Sequence, residues 1–163
     1  MNTKLQYLSL LKQFDAPELK TPCEPVPFGT VDMPWLKTMR KVCGFTGSGV
    51  GLAAPQIGVL KRAIFIWPSR AGMGRFMINP EICWRSIEFV EMEEGCLSYP
   101  GTYIRLNRSE SINVTYFDER WKQHSSDFHG MECRIILHEI DHLDGICRVG
   151  DEWRRRNSSG GLT

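Results

Sequence analysis

Residues 130–143 carry two apolar stripes at helical spacing. Met131, Ile135, His138 and His142 fall on one, and Cys133, Ile136, Ile140 and Leu143 on the other. A helix that is apolar on two sides must be buried on two sides. The pattern therefore predicts a helix running through the middle of the domain, with other elements around it. Upstream, 62–67, 75–79, 86–93, 102–106 and 110–117 are rich in β-branched and aromatic residues and read as strands. In 86–93, Ile87, Phe89 and Glu91 face one way and Glu88, Val90 and Met92 the other. Asn79-Pro80, Pro100-Gly101 and Asp118-Glu119 mark turns. Strands first and helix last predict an α+β fold, mostly antiparallel strands wrapped around a central helix.

The rest of the chain is less informative. Residues 15–34 are rich in proline and read as a wrapping arm, and Asp32 is placed to cap a helix over 33–43. With 163 residues, 42% of them hydrophobic, the expectation is a single domain over 1–150, followed by a short tail over 151–163. That tail is basic and then Gly/Ser-rich, and reads as a frayed terminus. Lys plus Arg is 20 against 19 for Asp plus Glu, so no basic field points to DNA. The most apolar stretch, Arg62 to Pro68, is far shorter than the roughly 20 residues of a membrane span. No secretory leader is evident at the start, which makes a reduced, cytoplasmic setting the expectation. The six cysteines are then free thiols. Cys43, Cys83, Cys133 and Cys147 sit in apolar patterns and read as small core residues.

The strongest local signal is His138-Glu139-Ile140-Asp141-His142. Side chains four apart on a helix stack on one face, so both imidazoles can reach one cation. Glu139, beside the first of them, can take a proton from a water at the ion. In zinc proteases with this motif a third ligand follows downstream. Here the position for a third histidine holds Arg148, and little chain follows for a second helix bearing a glutamate. The third ligand is therefore sought upstream. Cys96, in Glu94-Gly95-Cys96-Leu97-Ser98, is the best candidate: a thiolate and two imidazoles make a tetrahedral site with one open vertex.

Three blocks occur in order: Gly49-Val50-Gly51-Leu52-Ala53-Ala54-Pro55-Gln56, Glu94-Gly95-Cys96-Leu97-Ser98 and His138-Glu139-Ile140-Asp141-His142. Together they resemble the peptide deformylases over about 15–150. The resemblance implies a metal-dependent hydrolase that removes the formyl group from N-formylmethionine of nascent chains and releases formate. It implies Cys96, His138 and His142 as ligands, with Fe2+ as the usual ion and Zn2+, Ni2+ or Co2+ able to replace it. Glu139 would be general base and acid, with the Gln56 amide and the Leu97 backbone N–H donating to the oxyanion. Val50, Gly51 and Gly95 would line the peptide, and Ile135 would flank the methionine pocket. Asp141 would support a ligand or pair with a basic residue, and Glu94 and Arg108 would form a buried ion pair. The expected partners are formylmethionyl peptides and nascent chains at the ribosome, met by a monomer in the cytoplasm, or the host cytoplasm for a viral source. Two positions depart from the family pattern: Leu137 replaces a glutamine, and Tyr103 stands where many members carry arginine.

Two other readings compete. One is a metallopeptidase resting on the His-Glu-x-x-His motif alone, with an acidic or histidine third ligand. The other is a non-catalytic metal-stabilised domain that binds peptide or ribosomal RNA.

Overall fold

The computed structural model describes residues 2–67 and 72–158. Pro68 of the apolar stretch and the Ser159-Gly160-Gly161 part of the tail lie outside the described residues. The chain starts with helix α1 (Thr3–Leu8), a 3-10 turn at Pro17–Lys20 and helix α2 (Pro34–Phe45). Strand β1 (Gly51–Ala53), a 3-10 turn at Ala54–Ile57 and strand β2 (Ala63–Ile66) follow. Then come β3 (Arg75–Arg85), β4 (Phe89–Cys96), β5 (Tyr99–Ser109), β6 (Ser111–Phe117) and β7 (Gln123–His129). Helices α3 (Gly130–Leu143) and α4 (Arg148–Ser158) close the sequence of elements. Five strands pair antiparallel in the order β1-β2-β3-β6-β7, and β4 and β5 form a separate hairpin.

The alternation of side chains along β2 builds two cores. Ile64 and Ile66 pack with Met77, Ile112 and Val114 against Cys133, Ile136, Ile140 and Leu143 of α3. Ala63 and Phe65 point the other way, with Phe76 and Ile78, onto Leu36, Met39, Val42 and Cys43 of α2. A strand buried on both faces reads as a continuous apolar run, which is why 62–67 stands out in the sequence. The predicted helix over 130–143 is present with those bounds, and it packs between sheet and hairpin as its two stripes demand.

Several local expectations are corrected. Met33, not Asp32, occupies the N-cap of α2, without a side-chain cap; Pro34 opens the helix and has no N–H to satisfy. Asn79-Pro80 is no turn but a bulge inside β3, with Asn79 at φ 50. Its side chain accepts from Val26 N and donates to Val26 O, both at 2.8 Å, which ties the arm to the sheet. Pro100-Gly101 also lies within a strand: the β4–β5 turn is Leu97-Ser98, because Cys96 already pairs with Tyr99. Cys83 is exposed, on the outer face of β3. Ile87 and Phe89 are exposed too, so the alternation in 86–93 does not sort core from solvent.

The tail is not frayed over 151–158. Those residues continue α4, whose Val149 joins Leu19 and Tyr99 in a third apolar cluster. Trp153, one helical turn on, packs with tilted rings against Phe14 at 5.0 Å and Tyr99 at 5.8 Å between centroids. Arg155 and Arg156 both bond Glu152, so the charge run is internally paired. Among the described residues, no helix is long and apolar enough to cross a membrane.

Candidate metal centre

The end of β4 and one face of α3 meet at a single point. One ligand atom each from Cys96, His138 and His142 lies within 4.8 Å of the others. Cys96 Sγ is 3.3 Å from His142 Nε2, and the two imidazoles stand edge to face with centroids 5.1 Å apart. All three are largely shielded from solvent, and His142 is 1% exposed. The tight turn at Leu97-Ser98 delivers the sulfur: β4 ends at Cys96 and the chain doubles back at once.

Glu94 organises the candidate ligands. Its Oε2 accepts from His138 Nδ1 at 3.0 Å, so Nδ1 carries the proton and the Nε2 lone pair is left to bind an ion. The same carboxylate accepts from Arg108 Nε at 2.6 Å and Nη2 at 2.9 Å, and from Arg134 Nη1 at 2.8 Å. Burial pushes the Glu94 pKa up, but the bonds from His138, Arg108 and Arg134 outweigh it and hold the group well below the usual carboxylate range. Arg108 also donates to Asp141 Oδ2 at 2.7 Å, and Arg148 reaches the same oxygen at 3.1 Å. The expected Glu94–Arg108 pair is thus present, and so is the pairing of Asp141 with basic residues. Arg148, where a protease would place its third histidine, serves Asp141 instead. Burial, with the charge of His138 next, pushes His142 well below the ordinary histidine pKa, so it is the neutral imidazole a metal needs.

Glu139 faces the centre without a protein partner at Oε2, and His142 Nδ1 is likewise unpartnered. Burial drives the Glu139 carboxyl up to about 7. Gly51 packs tightly across from it: a Cβ there would sit 2.5 Å from Glu139 Oε1 and 2.8 Å from Ile135 Cγ2, so a side chain at 51 would displace the carboxyl. Gln56 is anchored by Ala53 N, which donates to its Oε1 at 2.9 Å. Its Nε2 then points to Ser98 Oγ at 3.1 Å and Cys96 Sγ at 3.7 Å. A soft sulfur, two imidazoles and an unpartnered buried carboxyl oxygen suit a divalent metal ion with room for one further ligand.

The remaining sequence candidates gather here as well. Val50, Gly51, Gln56, Gly95, Leu97, Ile135 and Glu139 line one cleft of about 390 Å³ with Cys96 and His138. Tyr103 lies at its edge, with its ring over Gly95. Leu137 is buried in the apolar core with Ile64 and Phe128. One residue escaped the sequence reading. Arg134 sits in an apolar helix pattern, yet it donates to Glu94 and to the carbonyls of Leu106 and Val90. It has no spacing signal, because it acts across distant parts of the chain. Cys147, read as a small core residue, is buried in an apolar cluster with Leu19, Tyr99 and Val149.

The family model for polypeptide deformylase matches residues 9–155. A peptide deformylase of Prochlorococcus marinus (strain NATL2A) is 41% identical over 108 residues, 64% of this chain and 54% of that protein. The chain thus spans about half the length of that relative. The crystal structure of a probable peptide deformylase from synechococcus phage S-SSM7 superposes with a TM-score of 0.79 at 35% identity, covering 85% of this chain and 96% of that one. A Met-Ala-Ser bound class I type b peptide deformylase from Acinetobacter baumannii gives a TM-score of 0.76 at 31% identity, covering 85% and 94%.

Proposed function

The chain belongs to the polypeptide deformylase family, and from that premise we propose that it hydrolyses the N-formyl group from formylmethionyl peptides and releases formate. The observation that carries the reading is the meeting of Cys96, His138 and His142 beside an unpartnered Glu139 oxygen, at the floor of a single cleft. The Met-Ala-Ser ligand of the Acinetobacter relative fits a substrate of that kind.

Cys96, His138 and His142 would hold a divalent ion, Fe2+ in our reading, which supplies Lewis acidity and an acidified water at the cleft floor. Everything else falls to the chain. Glu139, with a pKa near neutrality, can accept the proton of the attacking water and return one to the departing amine nitrogen. The anchored Gln56 Nε2 and the Leu97 backbone N–H donate to the carbonyl oxygen as it gains charge. Ile135 and Val50 supply apolar walls for the methionine side chain, while Gly51 and Gly95 let a peptide backbone approach closely. The metallopeptidase reading is disfavoured on the same geometry. Asp144 is engaged with Arg62 at 2.6 Å, and the third donor at the two imidazoles is a sulfur.

The test is formate release from formyl-Met-Ala-Ser by protein purified anaerobically with iron, with Glu139→Ala alongside. We expect formate from the unmodified chain and a loss of roughly 10²–10⁴-fold in the variant. Cleavage of the peptide bonds instead would indicate the peptidase. Neither activity, with tight metal binding, would indicate a binding domain.

A further inference from the structure

Residues 12–14, between α1 and the 3-10 turn at Pro17–Lys20, have no role in the chemistry above, yet they run behind the groups assigned to the carbonyl oxygen. Lys12 N donates to Gln56 O at 2.7 Å, and Phe14 N donates to Ser98 O at 2.9 Å. Gln56 Nε2 closes the circuit by donating to Ser98 Oγ at 3.1 Å. Three segments remote in sequence are thus tied into one ring: the strap, the 3-10 turn that carries Gln56, and the Leu97-Ser98 turn that carries the backbone N–H. The fit is close. A Cβ on Gly58, just past the Gln56 turn, would lie 2.9 Å from Lys12 Cε, and Ser98 is fully buried. The strap belongs to no helix or strand, so its fixed point is Phe14. This residue stands at φ 53, in the left-handed region that bulky side chains avoid. Such a conformation persists only where the surroundings enforce it. Here the ring packs against Trp153 at 5.0 Å and edge-on to Tyr99 at 6.3 Å between centroids. The next residue, Asp15, is held by Lys20 at 2.8 Å and by Arg154 at 3.2 Å. Tyr99 directly follows Ser98, so the aromatic contact braces the same turn that the Phe14 N–H holds.

We infer that residues 12–14 are a positioning strap for the two oxyanion donors, and that Phe14, locked by Tyr99 and Trp153, is the residue that sets it. The inference rests on the deformylase reading, which gives Gln56 Nε2 and the Leu97 N–H their task. Phe14 acts through Gln56 and Ser98 rather than on the substrate. Through Lys12 and Phe14 the strap fixes the backbone of both donors at once, and with it their separation. Donors aimed at a charge that develops only in the transition state lower the barrier without tightening substrate binding. Loosening the strap therefore lowers kcat and leaves KM in place. The loss stays short of deleting a donor, because both donors remain and only their aim is disturbed.

The test combines formate release from formyl-Met-Ala-Ser by the iron-loaded full chain with amide hydrogen exchange, read by NMR on the zinc-loaded full chain. Phe14→Ala strips the ring. We expect kcat to fall roughly 10-fold, against the roughly 10²–10³-fold of deleting one donor, with KM unchanged. Exchange should speed up at Lys12 N and at Ala53 N, which donates to Gln56 Oε1 at 2.9 Å and so reports on that side chain. Phe14→Tyr should restore both readouts. Phe14→Gly accepts φ 53 without strain and supplies a second variant without the ring if Phe14→Ala folds poorly. In a Gln56→Ala background the loss from Phe14→Ala should shrink, because the two residues act in series. Unchanged exchange at Lys12 and Ala53 would overturn the strap. So would a raised KM with kcat intact, or a loss of equal size with and without Gln56. No formate from the unmodified chain would instead remove the deformylase reading, and the exchange rates would still decide the strap.

Discussion

Glu94 Oε2 accepts a hydrogen bond from His138 Nδ1 at 3.0 Å, and Glu94 stands two residues before Cys96 on the same strand. One carboxylate therefore sets both the tautomer of a helix ligand and the position of the strand that presents the sulfur. Glu94→Gln keeps the shape but leaves Arg134 buried without its counter-charge and Arg108 with Asp141 alone. Breaking such a buried network costs about 3–5 kcal/mol, and losing the partner of a ligand histidine typically weakens metal binding by roughly 10–100-fold. Denaturant unfolding and a competitive metal titration should show both effects.

Acid stability follows from the same residue. The folded state holds the Glu94 pKa below its unfolded value of about 4.3. Its contribution is therefore complete above that value and drains away as pH falls below it toward the folded pKa. Unfolding free energy measured on the metal-free protein should decline with acid below about pH 4.3. Glu94→Gln should lack that part of the decline, and identical acid profiles would contradict it.

Gly51 is a steric requirement for Glu139. A methyl group there would meet Glu139 Oε1 at 2.5 Å and Ile135 Cγ2 at 2.8 Å, so the carboxyl must shift by about an ångström. Displacements of that size cost about 10²-fold in rate. Gly51→Ala should reduce formate release on that scale while metal content, fixed by ligands on other elements, stays at the level of the unmodified chain.

The C-terminal helix contributes to stability. Trp153 lies between Phe14 and Tyr99 and is partly exposed, so Trp153→Ala should cost about 2 kcal/mol, less than the roughly 3–5 of a core tryptophan. A frayed segment would change by no more than about 0.5 kcal/mol. Denaturant unfolding separates the two outcomes.

What the sequence makes legible is local and periodic. The bounds of α3 follow from its two stripes, and the run at β2 from its burial on both faces. The pairing of His138 and His142 on one face follows from helical spacing, and the choice of Cys96 from the search for a third donor. Elements without a periodic apolar signal escaped. β7 buries little beyond Phe128, α1 buries nothing, and α4 hides one apolar stripe under a run of arginines. Asn79-Pro80 and Pro100-Gly101 carry turn chemistry, but strand pairing on either side converts them to bulges. Arg134 takes its meaning from a partner 40 residues away, which no local window contains.

X-ray absorption at the metal edge of the zinc-loaded protein tests the centre most directly. Three protein ligands predict one sulfur at about 2.3 Å and two imidazole nitrogens at about 2.0–2.1 Å with one further light atom, and Cys96→Ser should abolish the sulfur shell. A spectrum without sulfur, or with a second sulfur from Cys147, would contradict the Cys96–His138–His142 centre.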